Sequence, residues 1–195
     1  MNKIRLFIEN NEVELTKDIN FAIDIICDCY RNGGKLLLCG NGGSCSDCGH
    51  ILGELMKSFM FNRPLENKNV DHQICEGIPV IDLTSNSGLI TALANDVSAD
   101  VIFSQQVYAY SKNNKNDVLI CLSTSGNSKN VVNASNVAKE LGLKIISFTG
   151  EKDSELSSIS TVTLRSPAKE TFRVQEYHLP IYHYICQKVE EILFK

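Results

Sequence analysis

The stretch Lys35-Leu36-Leu37-Leu38-Cys39-Gly40-Asn41-Gly42-Gly43-Ser44 decides the fold. Its first half is short and almost wholly apolar, with no polar alternation, which is how a strand covered on both faces reads. It empties into glycines and then into Ser44, where a helix begins. Upstream, Ile19, Ala22, Ile23, Ile26, Cys27 and Tyr30 recur at helical spacing, and Gly33-Gly34 stop that helix where a left-handed residue is tolerated. The same unit returns further on, as a buried strand over 118–122, a turn Ser123-Thr124-Ser125-Gly126-Asn127-Ser128 and a helix over 131–141. More strands are predicted at 79–83, 144–149 and 161–164, and more helices at 89–94, 101–110 and 171–194. Strands alternating with helices define an α/β fold, a parallel sheet between helical layers.

A chain of 195 residues supports one compact domain, 1–195. A helical segment within 1–33 precedes the sheet. The polar stretch 62–77, with Pro64, Asn67, Asn69, Asp71 and His72, lacks periodicity and reads as a surface insertion, either a lid or interface arm or a plain mobile loop. Hydrophobic residues at 43% and charged residues at 22% describe a globular protein. The net charge of −4, with no block of lysine or arginine, argues against a nucleic-acid partner. No apolar run approaches the ~18 residues of a membrane span, and the start of the chain mixes Lys3, Arg5 and Glu9 with apolar residues and has no signal-peptide core. The expectation is a cytoplasmic protein without a membrane partner. Its eight cysteines then read as reduced thiols, and the Cys45-x-x-Cys48 pair, unaccompanied by a second pair, as small packing residues.

In an open α/β sheet, ligands bind beyond the carboxyl ends of the strands, where helix amino-termini offer unpaired N–H groups and partial positive charge. Both turns fall there. Ser123, Thr124, Ser125 and Ser128 bring four hydroxyls into six residues, a density suited to a phosphate and beyond what simple helix capping needs. Neither turn carries Gly-Lys-Ser/Thr or the spaced dinucleotide fingerprint, so no nucleotide cofactor is expected. The helix opened by Ser44 presents Asp47, His50 and Glu54 on one side, with Ile51, Leu52, Leu55, Met56 and Phe59 on the adjoining face. His50 and Glu54, at i and i+4, can hydrogen-bond, share a metal, work as acid and base, or simply stabilise an exposed helix. The last helix carries Arg173, Gln175, Glu176, His178 and His183, two of the chain's four histidines, and is interrupted by Pro180, which removes a helical hydrogen bond.

These residues resemble the phosphoheptose isomerases of the sugar-isomerase-domain (SIS) family. The likeness rests on Gly40-Asn41-Gly42-Gly43-Ser44 with Asp47, His50 and Glu54-Leu55, then Asn95-Asp96, Ser123 to Ser128, and Arg173-x-Gln175-Glu176-x-His178 with His183, in the family's order over about 20–192. The resemblance implies a three-layer sandwich with a five-stranded parallel sheet. It implies a phosphate on Ser123, Thr124, Ser125 and Ser128, and a sugar held by Asn41, Gly42, Gly43, Ser44, Glu54, Asn95, Asp96 and Gln175. Glu54 and His183 match the catalytic acid and base, and His50, Glu54, Gln175 and His183 match positions that hold one zinc in some members. A homotetramer acting on a sugar phosphate, in heptose or lipopolysaccharide synthesis, is the implied biology. The chain departs from the pattern at Ser58, where heptose enzymes often carry arginine, at Phe172, where they often carry an acidic residue, and in the longer 62–77 segment.

Isomerisation of an aldose and a ketose needs a group that moves the proton beside the carbonyl, a complementary acid, and a hold on the distant phosphate. Glu54, His183 and the serine turn supply one each. A regulatory protein that binds phosphosugars, or associates with a replication initiator, is the rival, and it would need the phosphate turn without the proton shuttle. Another sugar phosphate as substrate is the second alternative. Gln175 and His183, eight residues apart, would stand ~12 Å apart on a straight helix, from which a pocket assembled from more than one chain is expected.

Overall fold

A computed structural model of the chain describes residues 13–65, 69, 71 and 73–195. Helix α1 (Val13–Arg31) leads into β1 (Leu36–Gly40) and α2 (Gly43–Met56), followed by β2 (Val80–Asp82) and α3 (Ser87–Asp96). A 3-10 turn (Ala99–Val101), α4 (Ser104–Ser111), β3 (Val118–Leu122), α5 (Lys129–Glu140), β4 (Lys144–Thr149), α6 (Glu155–Ile159), β5 (Val162–Arg165) and α7 (Thr171–Phe194) complete the order. The five strands form one sheet in the order β2-β1-β3-β4-β5, and every neighbouring pair is parallel. The first part of the proposed helical segment, 1–12, lies outside the described residues.

Side-chain alternation divides each strand between two cores. Leu36 and Leu38 of β1, Ile120 and Leu122 of β3, and Ile146 and Phe148 of β4 face the layer of α1, α2 and α7. Leu37 and Cys39, Leu119 and Cys121, and Ile145 face the layer of α4, α5 and α6. The continuous apolar run in β1 is therefore the mark of a strand buried on both sides, and all five of its residues are buried. The three layers expected from the sequence are present.

The eight cysteines are free thiols, as expected, and Cys48 is fully buried. Burial pushes the Cys48 thiol well above its ordinary value, so it packs as an apolar residue. Met56, placed on the apolar face from its spacing, is 48% exposed at the end of α2. The predicted helix over 101–110 is instead the 3-10 turn and α4, separated by Ile102 and Phe103, which turn inward to the core.

Within 62–77 the chain is not uniformly on the surface. Arg63 is 2% exposed and reaches Glu190 of α7, with Nε 2.9 Å from the carboxylate. Pro64 and Cys75 form an isolated antiparallel bridge that closes the base of the segment.

Candidate active site

The turn between β1 and α2 bends through Gly42, whose φ of 58° lies in the left-handed region that glycine enters without cost. Gly43 is required for closeness: a Cβ there would stand 2.6 Å from Gln175 Nε2. The first turns of α2 and α7 thus touch, and the two helices run side by side in the same direction, Gly43 beside Gln175 and His50 beside Tyr182 and His183. Ser44 is buried beneath the glycine turn.

The serine turn follows β3. Gly126, at φ 65°, donates its N–H to Ser123 O at 2.9 Å, and a side chain there would collide with Ser154. Ser123 Oγ donates to Ser128 Oγ at 3.1 Å, and Ser125 Oγ accepts from the Asn127 N–H at 3.2 Å. Ser128 stands at the N-cap of α5, yet its side chain makes no capping bond, so the serines do not serve the helix end in the ordinary way. The Val131 N–H of the first turn of α5 donates to the Ser128 carbonyl at 3.0 Å, while the N–H groups of Lys129 and Asn130, which have no acceptor within the helix, can serve an anion. Asn41 and Asn130 exchange two side-chain bonds, at 2.9 and 3.0 Å, and so pin the glycine turn to the start of α5. The sequence gives no hint of this clamp. Asn95 bonds to Asp96 at 2.7 Å on the exposed end of α3, and among the described residues neither hydrogen-bonds to the two turns.

One helical stretch further in, His50, Glu54 and His183 converge. His50 Nε2 lies 3.2 Å from His183 Nε2 and 3.3 Å from Glu54 Oε1, and ligand atoms of all three lie within 4.8 Å of one another. Glu54 Oε2 also takes a 3.2 Å ion pair from Lys57, and the Glu54 side chain is only 15% exposed. Burial, then the neighbouring His50, lowers the His183 pKa, which keeps that imidazole neutral at pH 7. His50 Nδ1 is 2.9 Å from the Tyr182 hydroxyl, which in turn donates to Asp47 Oδ1 at 3.3 Å. Burial, followed by the Asp47 charge, raises the Tyr182 phenol and keeps it protonated, and burial also raises the Asp47 carboxyl.

The donor set fits a zinc ion. Two ligands at ~2.0–2.1 Å in tetrahedral geometry stand about 3.3 Å apart; His50 Nε2 meets that spacing to both His183 Nε2 and Glu54 Oε1, while the widest separation in the group, within 4.8 Å, has to narrow around an ion. Two imidazole nitrogens and a carboxylate turned toward one point carry more lone pairs than protons, and a cation between them relieves that repulsion.

His178, the other histidine of α7, is fully buried, with Nε2 3.5 Å from the Thr149 carbonyl and, among the described residues, no partner for Nδ1. Burial lowers its pKa to about 4, so it stays neutral in the core while His183 lines the site. Pro180 does not interrupt α7, which continues as one helix from Thr171 to Phe194. Gln175 accordingly stays at the level of the glycine turn, two turns from His183. Glu54, His50 and His183 meet within one chain because α2 and α7 run in the same direction, while Gln175 does not join them, so the expectation of a pocket assembled from more than one chain rests on Gln175 alone. Mixing an inactive Glu54→Gln chain with an inactive His183→Gln chain should leave activity unrestored on subunit exchange, as followed by turnover of the mixture.

The SIS domain matches residues 1–150 of the chain. The chain is 38% identical over 182 residues to the phosphoheptose isomerase of Aneurinibacillus thermoaerophilus, a match covering 93% of this chain and 85% of that protein. The structure of phosphoheptose isomerase GmhA from Neisseria gonorrhoeae superimposes with a TM-score of 0.78 at 30% identity, covering 97% of this chain and 92% of that one. A phosphoheptose isomerase from Francisella tularensis gives 0.79 at 28% identity, with the same coverage. This chain belongs to the SIS-domain family. Within it, the three relatives named above are phosphoheptose isomerases.

Proposed function

We propose that the protein is an aldose–ketose isomerase that interconverts sedoheptulose 7-phosphate and D-glycero-D-manno-heptose 7-phosphate by proton transfer through an enediol. The observation that carries this is the convergence of Glu54, His50 and His183 on the helix that opens from the glycine turn, with that turn clamped to the serine turn by Asn41 and Asn130. A protein that only sensed phosphosugars would need the serine turn and would have no use for a half-buried carboxylate facing two imidazoles.

The open N–H groups at the start of α5, with the hydroxyls of Ser123, Thr124, Ser125 and Ser128, hold the phosphate and leave the carbonyl end to reach α2. Asn41, Gly42, Gly43 and Ser44, with Asn95, Asp96 and Gln175, bind the sugar hydroxyls. Glu54 takes the proton from the carbon beside the carbonyl and returns it to the neighbouring carbon. His183, neutral at pH 7, exchanges a proton with the oxygens as complementary acid and base. His50, Glu54 and His183 would hold zinc, with Gln175 as the fourth ligand from a neighbouring copy. When bound, the ion supplies Lewis-acid stabilisation of charge on the substrate oxygens. The active unit is a homotetramer in the cytoplasm, in heptose metabolism; no helix among the described residues is long and apolar enough to cross a membrane.

Incubating the pure protein with sedoheptulose 7-phosphate and with shorter ketose phosphates, and following aldose formation by NMR, tests the assignment. Turnover of the seven-carbon substrate is expected; turnover only of another sugar phosphate would move the substrate, and turnover of none would favour the sensor. The phosphate end has its own test. Ser123→Ala with Ser125→Ala should weaken sugar phosphate binding by a few kcal/mol, at about 1.5–3 kcal/mol per hydrogen bond to a charged oxygen, with the fold intact. Unchanged affinity by calorimetry in the folded double variant would remove the phosphate from this turn.

A further inference from the structure

Tyr182 is 1% exposed and, beside His183, joins α7 to the polar face of α2. Its hydroxyl lies 2.9 Å from His50 Nδ1 and 3.3 Å from Asp47 Oδ1, and the Tyr182 ring meets the His50 ring edge to face at 5.4 Å. A phenol has one proton to give. A carboxylate can only accept, and among the described residues the Tyr182 hydroxyl is the one hydrogen-bond donor to the Asp47 side chain. The proton therefore points to Asp47, and the Tyr182 oxygen is left as the acceptor for an N–H at His50 Nδ1. A neutral imidazole protonated at Nδ1 has a bare Nε2, and that is the nitrogen facing Glu54 and His183.

We propose that Tyr182 and Asp47 are a positioning pair that sets the tautomer of His50, so that its Nε2 lone pair is turned permanently toward Glu54 and His183. The opposite arrangement, with Tyr182 donating to Nδ1 and His50 donating from Nε2 to Glu54, would strip Asp47 of its one side-chain partner. It would also fill the centre of the site with an N–H that neither a metal ion nor the His183 proton can approach. The pair acts through His50 and touches no substrate. Its effect is to keep open the point on which the three ligand atoms converge, in the way a carboxylate behind a histidine commonly fixes ring orientation at metal sites.

Long-range proton–nitrogen spectra of the metal-free protein labelled at histidine, recorded at a pH where His50 is neutral, read the tautomer directly. The wild type should carry the His50 proton on Nδ1. Tyr182→Phe removes the acceptor and should move the proton to Nε2. Asp47→Ala, which places a good helix former in the first half of α2 and keeps Tyr182 in place, frees the phenol proton to turn to Nδ1 and should produce the same change. A wild type protonated at Nε2, or either folded variant that keeps the Nδ1 proton, overturns the proposal. Competition of zinc alone against a chelator should show binding about 10–100-fold weaker in both variants; unchanged affinity alongside a changed tautomer would refute the consequence drawn for the site. Only this second readout rests on the metal reading above. A wild-type protein that took up no zinc would end the metal reading and leave the tautomer to be decided by the spectra.

Discussion

Glu54→Gln should lower turnover about 10²–10⁴-fold, the range in which a positioned acid or base contributes, while the protein stays folded. The glutamine keeps the length and shape of the side chain, so packing against His50 is preserved. What it loses is the capacity to take a proton. The ion pair with Lys57 is lost as well, but the Lys57 side chain is 63% exposed and such a surface pair contributes little. The measurement is turnover of sedoheptulose 7-phosphate beside the melting temperature of the same sample. Turnover within tenfold of wild type would take the proton shuttle away from Glu54.

Arg63→Ala should destabilise the fold by about 3–5 kcal/mol, the cost of leaving one partner of a buried ion pair unpaired. Both side chains are enclosed, 1% exposed for Arg63 and 2% for Glu190. Glu190 additionally accepts the N–H groups of Phe59 and Met60, each at 2.7 Å. Arg63 does more than neutralise Glu190, because its Nη1 and Nη2 donate to the carbonyls of Leu55 and Glu54 at 3.1 and 3.2 Å. These are among the last carbonyls of α2, which have no partners within the helix and carry its partial negative charge. The 62–77 segment is thus anchored at its start to the backbone of the proposed catalytic residue. Unfolding in urea measures the stability loss, and turnover should fall with it as the end of α2 loosens. A loss no larger than the ~1 kcal/mol of a surface pair would show that the cap does not hold the helix.

The strands and the two turns proposed to hold the sugar phosphate were legible because burial on both faces and left-handed glycines leave marks in a single stretch of sequence. Gly42 and Gly126 sit where the chain must reverse at a strand end, and the run 36–40 is apolar at every side chain that packs. Long-range pairings left no such mark. Arg63 looks like an ordinary loop cation, Glu190 like a surface residue of a long helix, and Tyr182 like one more apolar position in 179–186; each is defined by a partner on another element. Nor does sequence distinguish His178 from His183. Burial does, since His178 faces Phe148 beneath the sheet end while His183 faces His50. The short helix α6 leaves little mark in the sequence, having five residues and a capping box that pairs Ser154 with Ser157 in place of the more familiar glutamate. Pro180 costs a hydrogen bond without breaking α7, because the buried stripe of Val174, Ile181, Ile185 and Val189 holds the helix against the sheet and α1.

The measurement that bears most directly on the central claim is incorporation of solvent deuterium. With sedoheptulose 7-phosphate in heavy water, the wild-type protein should place deuterium on the carbon beside the carbonyl, and Glu54→Gln should place almost none while still binding the sugar phosphate. Tight binding by the wild type with no exchange at either carbon would contradict an enediol reaction and leave a phosphosugar-binding protein in its place.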